Sequence, residues 1–347
     1  MGRIRLHPSS HLVPCEAGDT VLEALERAGY ALPNNCRAGA CGECRVRVRS
    51  GTFDQGFVLD MALSSEDRRA GFGLMCMAKL TGEEIEIEWG TVDARPTMFP
   101  TRENLPFVLV DSVARTPRIR ELVLRPLAEP LRFWPGQYVR LGDPEAGVPR
   151  RSYSLATAAH PDGELRLHVT RVDGGRTSAW LHALAPGVTL ELSGPHGGFV
   201  GDPSVATPVL CLAAGSGLAP IRSLTEAALR RGFAPEVTLV FSARAEEDLY
   251  ERGLLRYWQA RHATFHYVPT LTRERVPGIR FGHIPDVLPG LLPSLAGHSV
   301  FIAGRQDFVD ACRAVVEGLG AKPHLVHVEG FHAQPDDPLG DHGQPVT

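Results

Sequence analysis

At 347 residues the chain is longer than one hydrophobic core usually serves, so two or three domains are expected. With 43% hydrophobic and 22% charged residues and a formal net charge of −4, the composition is globular, and it argues against nucleic acid or an anionic membrane as partner. No apolar run reaches the roughly 18 residues of a membrane span. The opening MGRIRLHPSSHL lacks the apolar core of a secretion signal, so a cytoplasmic location is expected. Thiols stay reduced there, and clustered cysteines more often hold metal than pair. Residues 1–92 read as one small unit that opens with the strand RIRLH. In GDTVLEALERAG, Thr20 and Glu23 form a capping box, Val21, Leu22 and Leu25 line one face, and Gly29 ends the helix. CRVRVRSG alternates arginines with Val46 and Val48 as a half-buried strand, LSSEDRRAG is a short helix, and EIEIEW closes the unit as a strand.

Residues 93–104 carry two prolines and no periodicity, and are expected to be a linker. Over 105–204 the segments FVLVDSV, RELVLRP, GQYVRLG, RSYSLA, LRLHVTRV and VTLELSG predict an antiparallel β-barrel. Over 205–331 strands and helices alternate, which predicts a doubly wound parallel α/β sheet. Residues 332–347 are polar and rich in Pro and Gly, and are expected to form a flexible tail.

Cys36-x4-Cys41-x2-Cys44, with Cys76 further on, is the plant-type spacing of a [2Fe–2S] cluster. Gly39 and Gly42 let the backbone wrap tightly enough to aim amides at sulfur. A four-cysteine zinc site is the alternative, but zinc ribbons show two close C-x2-C pairs and this chain has one. Cys15, Cys211 and Cys312 lie in or beside apolar stretches and read as core thiols. Residues 1–92 thus resemble a plant-type ferredoxin domain of β-grasp fold. Arg37, Arg45, Arg47 and Arg49 lie close to the cysteines in sequence and suggest a basic rim for a partner, with Arg37 its test.

In RRSYSLA, Tyr153 offers an aromatic face, Ser154 a donor and Arg151 a positive charge, as a flavin requires. The Gly-Gly turn before Thr177 and Ser178 opens a helix whose free N–H groups suit a pyrophosphate, although the same residues also serve plain capping. CLAAGSGLAPIRSL is a strand, a glycine loop and a helix, the pattern of a nucleotide turn. Their order over 105–331 resembles the ferredoxin–NADP reductase superfamily. The resemblance implies that Arg151, Tyr153 and Ser154 contact FAD, that His168, Val169 and Arg171 line its ribityl–pyrophosphate side, and that Gly175, Thr177 and Ser178 hold its phosphates. Gly194–Phe199 would form the bend between domains. Gly215, Ser216, Gly217 and Pro220 would form the pyridine-nucleotide loop, Arg244 would lie at the adenosine, and Gly304 would close over the nicotinamide. This chain has Ala303-Gly304-Arg305 where the superfamily often has Cys-Gly-Pro. Ser154 and Glu329 would be the catalytic residues, Glu329 standing where related enzymes have an acid, and Phe331 would be an aromatic facing the flavin or a core residue of the last strand. The acidic Glu246, Glu247 and Asp248 disfavour a 2′-phosphate, so NADH is expected, with NADPH the alternative.

All of the chain before the tail resembles the reductase component of bacterial multicomponent oxygenases. That implies hydride transfer from NADH to FAD, then single electrons through [2Fe–2S] to an acceptor: a diiron or Rieske-type oxygenase, or an intermediate ferredoxin. A monomer is expected. The alternative roles are a reductase for a radical deoxysugar dehydratase, or a cofactor-bearing subunit or sensor of a larger complex.

Overall fold

The computed structural model describes residues 2–30, 32, 34, 37–40, 42, 44–89, 98–201 and 205–331. Cys36, Cys41, residues 93–97 of the expected linker and the tail 332–347 lie outside the described residues.

The first sheet comprises β1 (Gly2–His7), β2 (Leu12–Cys15), β3 (Arg45–Asp54), β4 (Phe72–Leu74) and β5 (Lys79–Glu88), packed with helix α1 (Val21–Arg27) and the short α2 (Ser65–Arg69). The order is β2-β1-β5-β3-β4, with β1 parallel to β5 and the other pairs antiparallel. This is the expected β-grasp. Ile4, Leu6, Ile85 and Ile87 alternate inward on the central strands and meet Val21, Leu22 and Leu25 of α1, all fully buried. The capping box between Thr20 and Glu23 forms as expected, and Gly29, at φ +83, ends the helix. Two strands escape the periodicity: β2 has four residues including Pro14, and β4 has three.

The second sheet comprises β6 (Arg102–Ala114), β7 (Ile119–Pro126), β8 (Tyr138–Asp143), β9 (Val148–Ser154), β10 (Leu165–Thr170) and β11 (Thr189–His196), with α3 (Arg176–Ala183). Its order is β10-β7-β6-β11-β8-β9, every pair antiparallel. A bridge between Leu155 and Leu167, with Ala156 N–H donating to Arg166 O at 2.8 Å, brings the two edges together and closes the barrel. Strand β6 starts inside the stretch that reads as linker, because Arg102 already pairs with Gly194 of β11.

The third sheet comprises β12 (Val209–Ala214), β13 (Val237–Ala243), β14 (Phe265–Leu271), β15 (Arg280–Phe281), β16 (Ser299–Arg305) and β17 (Val326–Phe331), flanked by α4 (Leu218–Arg230), α5 (Arg252–Arg261), α6 (Ile284–Leu291) and α7 (Gln306–Gly318). The order β15-β14-β13-β12-β16-β17 is parallel throughout. Strand order reverses at β12, so the crevice for a ligand opens beyond the carboxyl ends of β12 and β16. The Cys15, Cys211 and Cys312 thiols are buried in the cores; burial pushes all three up, Cys211 and Cys312 to about 12.

Candidate active site

The cysteine loop is shaped by two glycines. Gly39 and Gly42 adopt φ of +69 and +78, and a Cβ at Gly39 would lie 2.9 Å from both the Phe57 carbonyl oxygen and Val58 Cγ1. The loop is thus pressed onto segment 57–62, with Leu59 N–H donating to Gly39 O at 3.0 Å. Of the four expected ligands, Cys44 and Cys76 are described. Both are buried, and the Cys76 amide donates to Cys44 Sγ at 3.4 Å. Two thiols converging in this way, with an amide on sulfur, fit a thiolate-held cluster.

Strand β9 carries Arg151, Tyr153 and Ser154, which pair across to Leu141, Val139 and Tyr138 of β8. Burial pushes the Tyr153 hydroxyl well above its usual range. Thr177 and Ser178 do not cap α3: Gly175 is the N-cap residue and makes no side-chain cap hydrogen bond. Thr177 Oγ1 instead donates to Pro149 O at 2.6 Å, docking the helix start beside β9. Ser178 Oγ closes the preceding turn, accepting from Val172 N–H at 3.1 Å and donating to Gly175 O at 3.2 Å. The helix end is therefore left without a side-chain cap beside the R-x-Y-S strand, which suits an anion. The Val169 carbonyl accepts from His182 Nε2 at 2.8 Å, and Arg171 lies exposed just beyond β10.

The nucleotide turn is Gly215–Gly217, between β12 and α4. Gly215 has φ +56 with open space at its Cβ position, whereas a Cβ at Gly217 would lie 2.1 Å from the Ala303 carbonyl oxygen. A Cβ at Gly304 would lie 2.7 Å from Phe308 Cδ1. Pro220 is buried in the first turn of α4, which likewise has no side-chain cap. Ser216 Oγ accepts from Thr170 Oγ1 at 2.8 Å, tying this turn to β10. Arg244 is exposed just past β13. Of the acids that follow, Glu246 pairs with Arg252 at 2.6 Å and Asp248 accepts from Ala245 N–H at 3.3 Å, leaving Glu247 exposed.

The last strand joins the two regions. Its register sets Glu329 beside Ala303, Gly330 beside Gly304 and Phe331, half-buried, beside Arg305. Ser154 Oγ donates to Glu329 Oε1 at 3.0 Å, and Glu329 Oε2 is buried with no hydrogen-bond partner among the described residues. Burial pushes the Glu329 carboxyl up to about 8, against the pull of the Ser154 bond, so it is largely protonated at pH 7.

Two buried networks stand out that the sequence did not reveal. In one, Glu121 Oε1 accepts from Arg115 at 2.7 Å and Arg166 at 3.1 Å, and Oε2 meets His168 Nε2 at 3.2 Å. Tyr250 OH stands 3.2 Å from His168 Nδ1 and donates to Gly215 O at 3.1 Å. Arg222 of α4 lies 3.6 Å from both Glu121 and Glu251. The His168 side chain, expected at the flavin, is thus committed to the contact between the barrel and the parallel sheet. Burial raises the Glu121 carboxyl, but the hydrogen bonds from His168 and Arg115 outweigh it and hold the group at about 2. The guanidiniums already supply the charge that a metal ion would bring to Glu121, His168 and Glu251. Glu121→Ala would strand these cations and is expected to cost about 3–5 kcal/mol, read as a lowered thermal midpoint at pH 7. In the unaltered protein this carboxylate's contribution is fully present above its ordinary value of 4.5 and is lost as the pH falls towards 2.

The second network corrects the expected basic rim. Arg37 is not a surface residue: its side chain is 10% exposed. Arg37 Nη1 donates to Glu26 Oε2 at 2.8 Å and to Tyr138 OH at 2.6 Å. Glu26 Oε1 also accepts from Gly197 N–H at 3.3 Å, and His196 Nδ1 is 3.5 Å from Glu26 Oε2. Burial opposes the charge on Glu26, but Arg37 and His196 hold its carboxyl at about 2. Arg45, Arg47 and Arg49 are exposed but paired with Asp67 at 3.0 Å, Glu88 at 3.9 Å and Glu88 at 3.1 Å. A signal for Glu26 existed: it falls four residues after Leu22, on the apolar stripe of α1.

Comparison with known proteins agrees with this geometry. Residues 4–81 match the 2Fe-2S iron-sulfur cluster binding domain family, 106–200 the oxidoreductase FAD-binding domain family and 211–314 the oxidoreductase NAD-binding domain family. The chain is 38% identical to the reductase subunit of an aromatic O-demethylase from Amycolatopsis sp., over 92% of this chain and 96% of that protein. It is 32% identical to the ferredoxin–NAD(P)(+) reductase component of a naphthalene 1,2-dioxygenase system from Pseudomonas putida, over 94% and 98%. The crystal structure of an Amycolatopsis cytochrome P450 reductase superposes with a TM-score of 0.86 at 34% identity, covering 97% of this chain and 100% of that one. No helix among the described residues is long and apolar enough to cross a membrane. With three family matches in chain order and relatives aligned along nearly their whole length, the chain belongs to the iron–sulfur flavoprotein reductases, NAD(P)H oxidoreductases that carry [2Fe–2S], FAD and nicotinamide domains in one polypeptide.

Proposed function

We propose that this chain is the NADH-dependent reductase of an oxygenase system, and that its acceptor is a haem oxygenase removing O-methyl groups from an aromatic compound. The observation that carries the reductase site is the Ser154–Glu329 hydrogen bond, which joins the flavin strand to the nicotinamide sheet. The acceptor rests on the O-demethylase reductase relative, matched over 92% of this chain, and on the superposed P450 reductase. An intermediate ferredoxin is the second reading, favoured by the naphthalene dioxygenase relative. When bound, the flavin takes hydride from the nicotinamide and the cluster carries the electrons onward one at a time.

The chain's own residues place these groups. Tyr153 gives an aromatic face, Arg151 a positive charge, and Gly175, Thr177 and Ser178 an uncapped helix end for phosphate. His168 and Val169 contribute backbone, and Arg171 borders the pyrophosphate. Gly215, Ser216, Gly217 and Pro220 build the nucleotide turn, with Gly304 at the nicotinamide, Arg244 at the adenosine and Phe331 facing the flavin. Glu329 orients Ser154 through Oε1 and keeps its proton on Oε2, the oxygen that no group among the described residues takes. Exposed Glu247 opposes a 2′-phosphate, so NADH should bind more tightly than NADPH. Cys36 and Cys41 complete the cluster set with Cys44 and Cys76. Domains at 1–92, 105–204 and 205–331, the second extended back to the start of β6 at Arg102, and a monomeric state complete the proposal.

Anaerobic titration with NADH tests it: flavin and cluster bands should both bleach. In Cys76→Ser the cluster band should be lost while NADH still bleaches the flavin. A colourless protein that holds zinc, or bands untouched by NADH, would refute the reading.

A further inference from the structure

Among the described residues, Arg37 ties the cysteine loop to the barrel. Arg37 is the residue next to the expected ligand Cys36. Its guanidinium bonds Tyr138, and Tyr138 is the cross-strand partner of Ser154, the end of the R-x-Y-S motif. His196 lies opposite Tyr138 on the other side in β11, and the two rings stack at 5.5 Å with planes 27° apart. Glu26 closes the junction from α1, accepting from Arg37, from Asn34 at 3.2 Å and from the Gly197 amide. The chain leaving the ferredoxin domain is pinned to the same spot: Met98 N–H donates to Gly29 O at 2.9 Å, and Phe99 stacks on Trp134 at 5.7 Å. A single residue on each side therefore separates an expected cluster ligand from the flavin strand.

Resting on the reductase function above, we infer that Arg37, Glu26 and Tyr138 are positioning residues for electron transfer within the chain: they clamp the cysteine loop against β8 and so fix the separation between flavin and cluster. The charges are buried, and a buried pair is an unforgiving clamp because removing one partner leaves the other uncompensated. Its polar bonds also set one register for the two domains where apolar packing would allow several.

The test is single-turnover reduction of the holoprotein by NADH, with flavin and cluster absorbance followed separately in Arg37→Gln, Arg37→Lys and Tyr138→Phe. Flavin should bleach at the unaltered rate in all three. Cluster bleaching should slow at least tenfold in Arg37→Gln and several-fold in Tyr138→Phe, and Arg37→Lys should recover most of the loss. Amide hydrogen exchange at Gly197 should quicken in Arg37→Gln, while the cluster's midpoint potential in Tyr138→Phe stays unchanged, which separates positioning from tuning. Cluster bleaching at the unaltered rate in Arg37→Gln would overturn the inference. Should that variant lose its iron, Tyr138→Phe decides, and an unaltered rate there would overturn it equally. If NADH fails to bleach the flavin of the unaltered protein, the reductase reading fails instead.

Discussion

Gly217→Ala is expected to abolish tight nucleotide binding and to destabilise the nucleotide domain, although only one methyl group is added. The backbone at Gly217 is ordinary, with φ −59, so the effect is not conformational strain. It is contact: the new Cβ would sit 2.1 Å from Ala303 O, 2.4 Å from Ala303 C and 2.8 Å from Gly304 N. These are backbone atoms of a central strand and cannot rotate away, so α4 must lift off β16. Overpacking of this kind costs about 3 kcal/mol. The displaced turn also carries Ser216 away from Thr170 and Gly215 away from Tyr250. Thermal unfolding and NADH affinity measure the two consequences, and affinity should fall at least tenfold with flavin and iron content retained. Gly215→Ala is the control, because open space surrounds that Cβ position and only the φ of +56 is penalised. Equal losses in both variants would show that backbone freedom, not close approach, is what the turn requires.

Glu329→Gln should remove a pH dependence as well as activity. The folded protein holds a proton on Glu329 up to about pH 8, whereas the unfolded chain sheds it near 4.5. Between those values the unfolded state binds fewer protons, so stability falls as the pH rises and levels off above 8. The full effect is on the order of 5 kcal/mol by linkage. Glutamine stays neutral throughout, so the variant's thermal midpoint should lack this decline between about pH 5 and 8 and exceed that of the unaltered protein at the alkaline end. The amide keeps the oxygen that Ser154 bonds but loses the proton on Oε2. NADH-driven dye reduction at pH 7 should therefore drop about 100-fold, the usual effect of removing a positioned acid. Unchanged turnover with the expected change in stability would make Glu329 a structural residue only.

Local signals in the sequence carried the fold well. The capping box at Thr20, the Val46/Val48 alternation and the switch from strands to strand–helix pairs each depend on neighbours in the chain, and each appears in the structure. What stayed hidden depends on partners far away. Arg37 looked like a docking charge because nothing within the cysteine loop shows that Tyr138, 101 residues on, will cover it. The engagement of the His168 side chain was hidden because Glu121 and Tyr250 reach it from two other elements. Glu329 could be placed on the last strand from sequence, but its neutral state arises from burial, which appears only once the sheet and barrel close around it.

The quartet of Glu26, Arg37, Tyr138 and His196 also bears on how freely such reductases can be rebuilt from parts. A ferredoxin module grafted from a relative would bring its own residues at 26 and 37 to a Tyr138–His196 face selected for these two. A mismatched acid or base would be sealed into a buried junction. Chimeras should therefore succeed when the four positions travel together, even across a graft boundary drawn elsewhere, and exchange of the domain alone should yield proteins that bind every cofactor yet pass electrons poorly.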